Sequence, residues 1–399
     1  MKTKMMLVFS FLLSLTVVNG QNNKEGYLRK VLNNLEKIES ATYRLYTEVW
    51  EPGATAPMFE RYDFVKEYVN PQDSTIGASY VAVNDVDKKT MAWGYDGNVK
   101  VNVYHEDKII VIDDFSSRKR PFRPVAPPFF NYVQSIIRYS LTTPDSITTT
   151  LDDLGDAFHF KMVIHEKEQI EFFGKDYHYP NPYSADPTSI YELWISKKND
   201  LPYKRRREMS HGTSIEACSN VEVNQLSIKE FNLYDYFPRD YEVKKRGERG
   251  QKENKSLAVG ASAPSWTLKD INEQAISLAH FKNKVILINF TGVGCGPCKV
   301  AIPFLNSLKE EFKEEELKVV AIESWKRKIP SIQNYIHTNK INYLFLEGND
   351  EVIKDYLNGN RGVPYYFILD RDRIIRKVIY GYDKEKTDKE IMDAIKGLL

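Results

Sequence analysis

Cys295 and Cys298 stand three residues apart around Gly296-Pro297, in the stretch TGVGCGPCKVAIP directly after the apolar run KVILINF. Residues at i and i+3 are helical neighbours, about 5–6 Å apart at Cβ, so modest relaxation closes a disulfide. Pro297 needs no N–H partner and suits a first helical turn. Cys295 then falls at a helix N-terminus, where free N–H groups and the helix dipole favour an anion. The spacing therefore reads as a redox dithiol. Cys295 is the candidate nucleophile, and Cys298, one turn in, resolves the mixed disulfide. Two alternatives compete. Half a zinc site lacks its second pair, and the seven His are scattered. A static staple over so short a loop gains little from unfolded-state entropy. No metal or cofactor is implied.

These residues need a strand that ends at the dithiol and a helix that starts there. KVILINF (284–290) reads as a buried central strand, and Cys298 to Phe312 as the helix. LKVVAIES (317–324) is a second buried strand, and Pro330 opens another helix to about Tyr335. YFILD (366–370) and IIRKVIY (374–380) form a hairpin, and Thr387-Asp388-Lys389-Glu390 is a capping box for the last helix. The order is β-α-β-α-β-β-α.

Earlier in the chain the pattern differs. Leu28, Val31, Leu32 and Leu35 recur at helical spacing. Then the period becomes two: ATYRLYTEVW (41–50), VKVNVYH (99–105), FHFKMVIH (158–165) and SIYELWISK (189–197) alternate. Turn signals such as Asp96-Gly97 and Asn199-Asp200 separate such runs. Residues 21–240 are therefore expected to be an α+β domain with a large antiparallel sheet. The polar run 241–256 reads as a linker, and 257–399 as an α/β domain.

The first residues read as a secretory signal. Lys2 and Lys4 precede the apolar stretch Met5 to Val18, and Val18-Asn19-Gly20 offers a cleavage site before Gln21. An N-terminal anchor is the alternative, but the run is short for a bilayer. The expectation is a signal peptide over 1–20 and a soluble exported protein of the periplasm or cell envelope. Three cysteines in 399 residues argue for catalysis rather than a stapled scaffold. The formal net charge of +1 selects neither nucleic acid nor an anionic membrane as partner.

Residues 257–399 resemble the thioredoxin superfamily, and within it the exported TlpA/ResA-like thiol–disulfide oxidoreductases. The likeness rests on Val259-Gly260, Ala263-Pro264, Trp266, KVILINF, the CGPC dithiol, VVAIES and GVPYYFILD in that order. It implies a cis bond at Val363-Pro364 facing the dithiol, with Val363 and Pro364 holding an extended substrate segment. It also implies disulfide-containing exported proteins as substrates and a membrane thiol electron donor. The sequence departs from that pattern in three places. Val293-Gly294 replaces the aromatic expected before the first cysteine. Asn289 stands where thioredoxins carry a buried Asp, and Ala301 where some of the exported branch carries Glu. Glu323, at a strand end, is the candidate replacement for proton handling; a surface carboxylate is the competing reading.

The N-terminal region carries no catalytic constellation. His159 and His165 share a strand face, and Lys204-Arg205-Arg206-Arg207 reads as a solvated basic run. Cys218 reads as a small buried apolar residue. Tyr177, Tyr179 and Tyr183 mark an aromatic loop. The opening helix, DGNVKVNVY, SIYELWISKKNDLPYKRRREM and FNLYDYFPRDYEV are similar to the LolA/LppX-like half-barrel of lipoprotein carriers. That likeness implies a cavity for lipid or lipoprotein. The function expected is an exported thiol–disulfide oxidoreductase that reduces or isomerises protein disulfides. The alternative is an envelope lipid- or protein-binding carrier with an accessory thioredoxin-like domain.

Overall fold

The structure is a computed structural model that describes residues 24–51, 54, 56–116, 125–166, 168–179, 189–209, 212–246, 256–327 and 329–399. The signal-peptide expectation for 1–20 and the tyrosine at 183 lie outside these residues.

The N-terminal region builds a 12-stranded sheet. Strand Ser40–Trp50 lies at its middle, flanked by Phe59–Val69 on one side and Gly212–Val223 on the other. The neighbouring pairs run antiparallel, except at one edge, where Glu242–Lys245 pairs parallel with Ile109–Asp113. That edge strand corrects the linker reading of 241–256 at its first residues. Its side chains are mostly exposed, so polarity alone hid it.

Two helices cover one face of this sheet: α1 (24–35) and α2 (Phe129–Thr142). Leu28, Val31 and Leu35 of α1 and Phe129, Val133, Ile136 and Ile137 of α2 pack on Tyr43, Phe160, Met162 and Ile164. The face carrying Phe160, Met162 and Ile164 is thus filled by helices rather than left open. Helix α2 has no side-chain cap of its own at Pro128. Instead the buried Glu67 accepts from Phe130 N at 3.1 Å, Asn131 N at 2.8 Å and the Tyr43 hydroxyl at 2.8 Å. A carboxylate there complements the helix dipole.

The C-terminal region forms a seven-stranded sheet. Its central strand Val285–Thr291 pairs parallel with Leu317–Glu323 and antiparallel with Tyr365–Leu369. All seven residues of Val285–Thr291 are buried, as a strand covered on both faces requires. Helix α3 (Gly296–Glu311) follows it directly. Helix α4 (Ile329–Thr338) begins the next crossover. Strand Leu344–Glu347 and helix α5 (Asp350–Leu357) add a unit that the simple β-α-β-α-β-β-α order omits. The closing hairpin and α6 (Lys384–Lys396) complete the layer. Two apolar clusters, one on each face, sandwich the sheet.

Candidate active site

Cys295 is the N-cap of α3, and Cys298 lies in its first turn, with Pro297 between them. The two sulfurs are joined as a disulfide with Cα atoms 5.2 Å apart. The Cys298 backbone N–H points at Cys295 Sγ at 3.2 Å. An N–H so placed stabilises negative charge on that sulfur once the bond is reduced. Cys295 is 5% exposed and Cys298 1%, so the outer sulfur offers the narrow approach.

The Val363–Pro364 bond is cis, and the Val363 carbonyl oxygen lies 3.9 Å from Cys295 Sγ. The Pro364 carbonyl accepts from Gly381 N at 2.9 Å, which ties this loop to the closing hairpin. Val363 therefore borders the same sulfur as the start of α3.

The missing aromatic has a structural reason. Gly294 has φ +87°, a left-handed conformation that a bulky residue there would strain. Val293 is buried and packs in the same cluster as Ala301. An indole comes instead from the neighbouring strand's exit loop. Trp325 lies so close to Gly292 that a Cβ there would meet Trp325 Cδ2 at 2.6 Å. Its Nε1 donates to the Arg361 carbonyl at 2.8 Å. Arg361 donates back to the Ser324 carbonyl and pairs with Asp350. Trp325 thus bridges the dithiol loop and the loop leading to Val363-Pro364. Sequence reading missed Trp325 and Arg361, although IESWKRK places a tryptophan two residues beyond Glu323.

Glu323 is fully buried, which overturns the surface reading. Parallel pairing sets it beside Thr291. Its Oε1 accepts from Val293 N at 3.4 Å, and its Oε2 from Trp325 N at 2.8 Å and Arg327 N at 3.0 Å. Burial pushes its carboxyl up from the ordinary range, against those hydrogen bonds and the Arg327 charge. Its carboxylate holds the backbone on both sides of the site. Asn289 is also buried, and its Oδ1 has no partner among the described residues.

Arg327 reaches the N-terminal region. It forms an ion pair with Glu51 and sits 2.8 Å from Met58 Sδ. Elsewhere, His159 bonds Glu192 at 3.0 Å and His165 bonds Thr148 at 2.8 Å. Among the described residues no group of three His, Cys, Asp or Glu is placed to hold a metal ion. Cys218 is buried and free.

Residues 258–395 match the family model named Redoxin. The thiol–disulfide oxidoreductase ResA of Bacillus thuringiensis is 28% identical over 143 residues, 36% of this chain and 79% of that protein. ResA of Bacillus subtilis is 27% identical over 141 residues, 35% of this chain and 78% of that protein. Among solved structures, the thioredoxin domain of a Bacteroides vulgatus thiol–disulfide oxidoreductase is similar at 22% identity. It covers 35% of this chain and 99% of that one, with a TM-score of 0.31. The C-terminal region is a thioredoxin-superfamily domain of the TlpA/ResA-like kind. The chain is accordingly a thiol–disulfide oxidoreductase.

Proposed function

We propose that the protein is exported and reduces or isomerises disulfides of exported proteins through its CGPC dithiol. The Cys295 thiolate attacks one sulfur of a substrate disulfide. That bond breaks, a mixed disulfide forms, and the departing substrate thiolate takes up a proton. The Cys298 thiolate then attacks the Cys295 sulfur, which releases the second substrate thiol and closes the Cys295–Cys298 disulfide. The substrate gains two electrons and the enzyme loses two. A membrane thiol donor returns them. Gly296 and Pro297 set the loop, Glu323 supports it, and Val363 with Pro364 aligns an extended substrate segment. One observation carries this reading: the Cys298 N–H and the Val363 carbonyl converge on the same sulfur, Cys295 Sγ.

Residues 1–20 are taken as a cleaved signal peptide, and the protein acts in the periplasm or cell envelope. Among the described residues no helix is long and apolar enough to cross a membrane. The N-terminal region, LolA-like in its sequence pattern, recruits substrate. The carrier alternative is less favoured, because the relatives found are oxidoreductases.

The test is trapping. Cys298→Ser should accumulate mixed disulfides with exported proteins, and Cys295→Ser should abolish exchange. If neither variant alters reductase activity, the mechanism fails. A reduction potential above about −150 mV would indicate a disulfide donor instead.

A further inference from the structure

The basic run Lys204 to Arg207 does not form a uniformly solvated face. Strand alternation sends Arg205 and Arg207 to the side covered by α2, where they pair with Glu216 and Glu171. The unpartnered part of the 12-stranded sheet lies on strand Phe59–Val69. From Asp63 to Val69 this strand pairs with Ala78–Asn84. Before Asp63 it does not. Phe59 to Tyr62 are bound to Ser40–Trp50 on one side. On the other, no strand among the described residues pairs with them. All four are exposed. Their outward N–H and C=O groups form a short free edge.

Sheets usually guard such edges with lysine, proline or a bulge. The two ends of this sheet fit that rule. Lys244 and Lys245 stand on the outermost strand Glu242–Lys245. At the opposite end Lys24 donates to the Thr149 carbonyl at 2.9 Å. The edge from Phe59 to Tyr62 carries no lysine, and its charges are tied to its own sheet. Arg61 pairs with Asp63 at 2.7 Å and stacks 3.9 Å over Trp93. Glu60 accepts from the Tyr46 hydroxyl at 2.9 Å. The side chains left open to solvent are Met58, Phe59 and Tyr62, which are 46%, 40% and 48% exposed.

This edge adjoins the redox site through a short series of contacts. Met58 Sδ lies 2.8 Å from the Arg327 guanidinium. Arg327 Cζ lies 5.4 Å from the centre of the Trp325 ring. That ring packs on Gly292, whose carbonyl accepts from Cys295 N at 3.0 Å. An extended arm of about ten residues reaches roughly 33 Å, which spans this path.

A strand edge is recognised by another strand: backbone hydrogen bonds hold it, and alternate side chains meet the exposed apolar residues. We propose that Phe59 to Tyr62 captures an extended apolar arm of a substrate protein as an added β-strand, while the disulfide of that protein lies at Cys295. The inference rests on the exchange reaction proposed above and names its substrate class. That class is proteins whose cysteines are flanked by unfolded, strand-forming segments, rather than small disulfides.

The test uses synthetic peptide disulfides with the full chain. One peptide carries arms of alternating Val and Thr on both sides of its cysteines. A second lacks the arms. Two more have alternate arm amides N-methylated, one for each register. Each is trapped on Cys298→Ser as a mixed disulfide, and hydrogen exchange is followed by mass spectrometry. The armed peptide should slow exchange in Phe59 to Tyr62 at least about tenfold, the effect of one or two backbone hydrogen bonds. The short peptide should not, and N-methylation in one register should remove the protection. With the unaltered chain, arms should raise kcat/KM about tenfold. Phe59→Ser combined with Tyr62→Ser should lower that gain about threefold. Circular dichroism would check that this variant folds, and the N-methylated peptides test the edge without it. If no peptide is trapped, the exchange reading fails and the proposal with it. Trapping without protection of Phe59 to Tyr62 overturns the docking alone, as does equal kcat/KM for armed and short peptides. Protection that grows with protein concentration in the absence of peptide assigns the edge to a second copy of the chain and also overturns it.

Discussion

Trp325 lies against the backbone of Gly292, so that a methyl group at Gly292 would stand 2.6 Å from Trp325 Cδ2. The indole cannot simply retreat, because its Nε1 is held by the Arg361 carbonyl at 2.8 Å. Gly292→Ala should therefore destabilise the redoxin domain by about 1–3 kcal/mol, the usual cost of overpacking. Urea unfolding measures it. The same change should raise KM for a protein disulfide more than it slows reaction with a small disulfide, since the displaced ring borders the Val363-Pro364 loop. Unchanged stability and unchanged KM together would refute the constraint.

Glu323 invites a comparison of two substitutions. Its two oxygens receive three backbone N–H groups. Glu323→Ala leaves those buried donors unmet, at a cost of about 1–3 kcal/mol for each that water cannot reach. Glu323→Gln keeps the shape and one acceptor oxygen. We expect Gln to restore most of the stability and of the exchange rate lost with Ala, across the pH profile. If Gln is as inactive as Ala while remaining folded, Glu323 moves a proton rather than positioning the loops.

The dithiol and its strand and helix were legible because local signals agree there: an uninterrupted apolar run, a proline in the first turn and the i, i+3 spacing. The role of Trp325 was not legible. Residues 292 and 325 meet only because Thr291 and Glu323 pair across two parallel strands. Helix α2 was hidden for a similar reason. Its run FFNYVQSIIRYSLT is rich in aromatic and β-branched residues, which favour strands. Its N-terminal carboxylate comes from Glu67, distant in sequence. Arg205 and Arg207 looked solvated because composition does not reveal which strand face a residue takes.

Glu67 should give the N-terminal region a pH-dependent stability. Burial raises its pKa from the ordinary 4.5 to about 7, against the bonds from Tyr43, Asn131 and Phe130. The folded state then keeps a proton that the unfolded chain has already released. The stabilisation is complete below the unfolded value and is lost as pH rises through the folded one, on the order of 3 kcal/mol in all. Urea unfolding at several pH values from 4.5 to above 7 should show this decline, and Glu67→Gln should flatten it. An equal slope in the variant would assign the dependence to other groups.

Arg327 couples the redox site to the N-terminal region. Its guanidinium pairs with Glu51, with side chains 17% and 11% exposed. Burial raises the Glu51 pKa despite that partner, so the attraction does not fully offset the desolvation. Removing the arginine strands a buried carboxylate, whereas removing the carboxylate's charge leaves a guanidinium that still contacts Met58 and the Trp325 ring. Arg327→Met should therefore cost more stability than Glu51→Gln. A double-mutant cycle should give a coupling of about 1–3 kcal/mol, nearly insensitive to salt because the pair is shielded. The Arg327 and Trp325 N–H groups share Glu323 Oε2, so the loss should reach the site as a raised KM for protein disulfides. A coupling of zero, or one erased by moderate salt, would mean that this contact does not join the two regions.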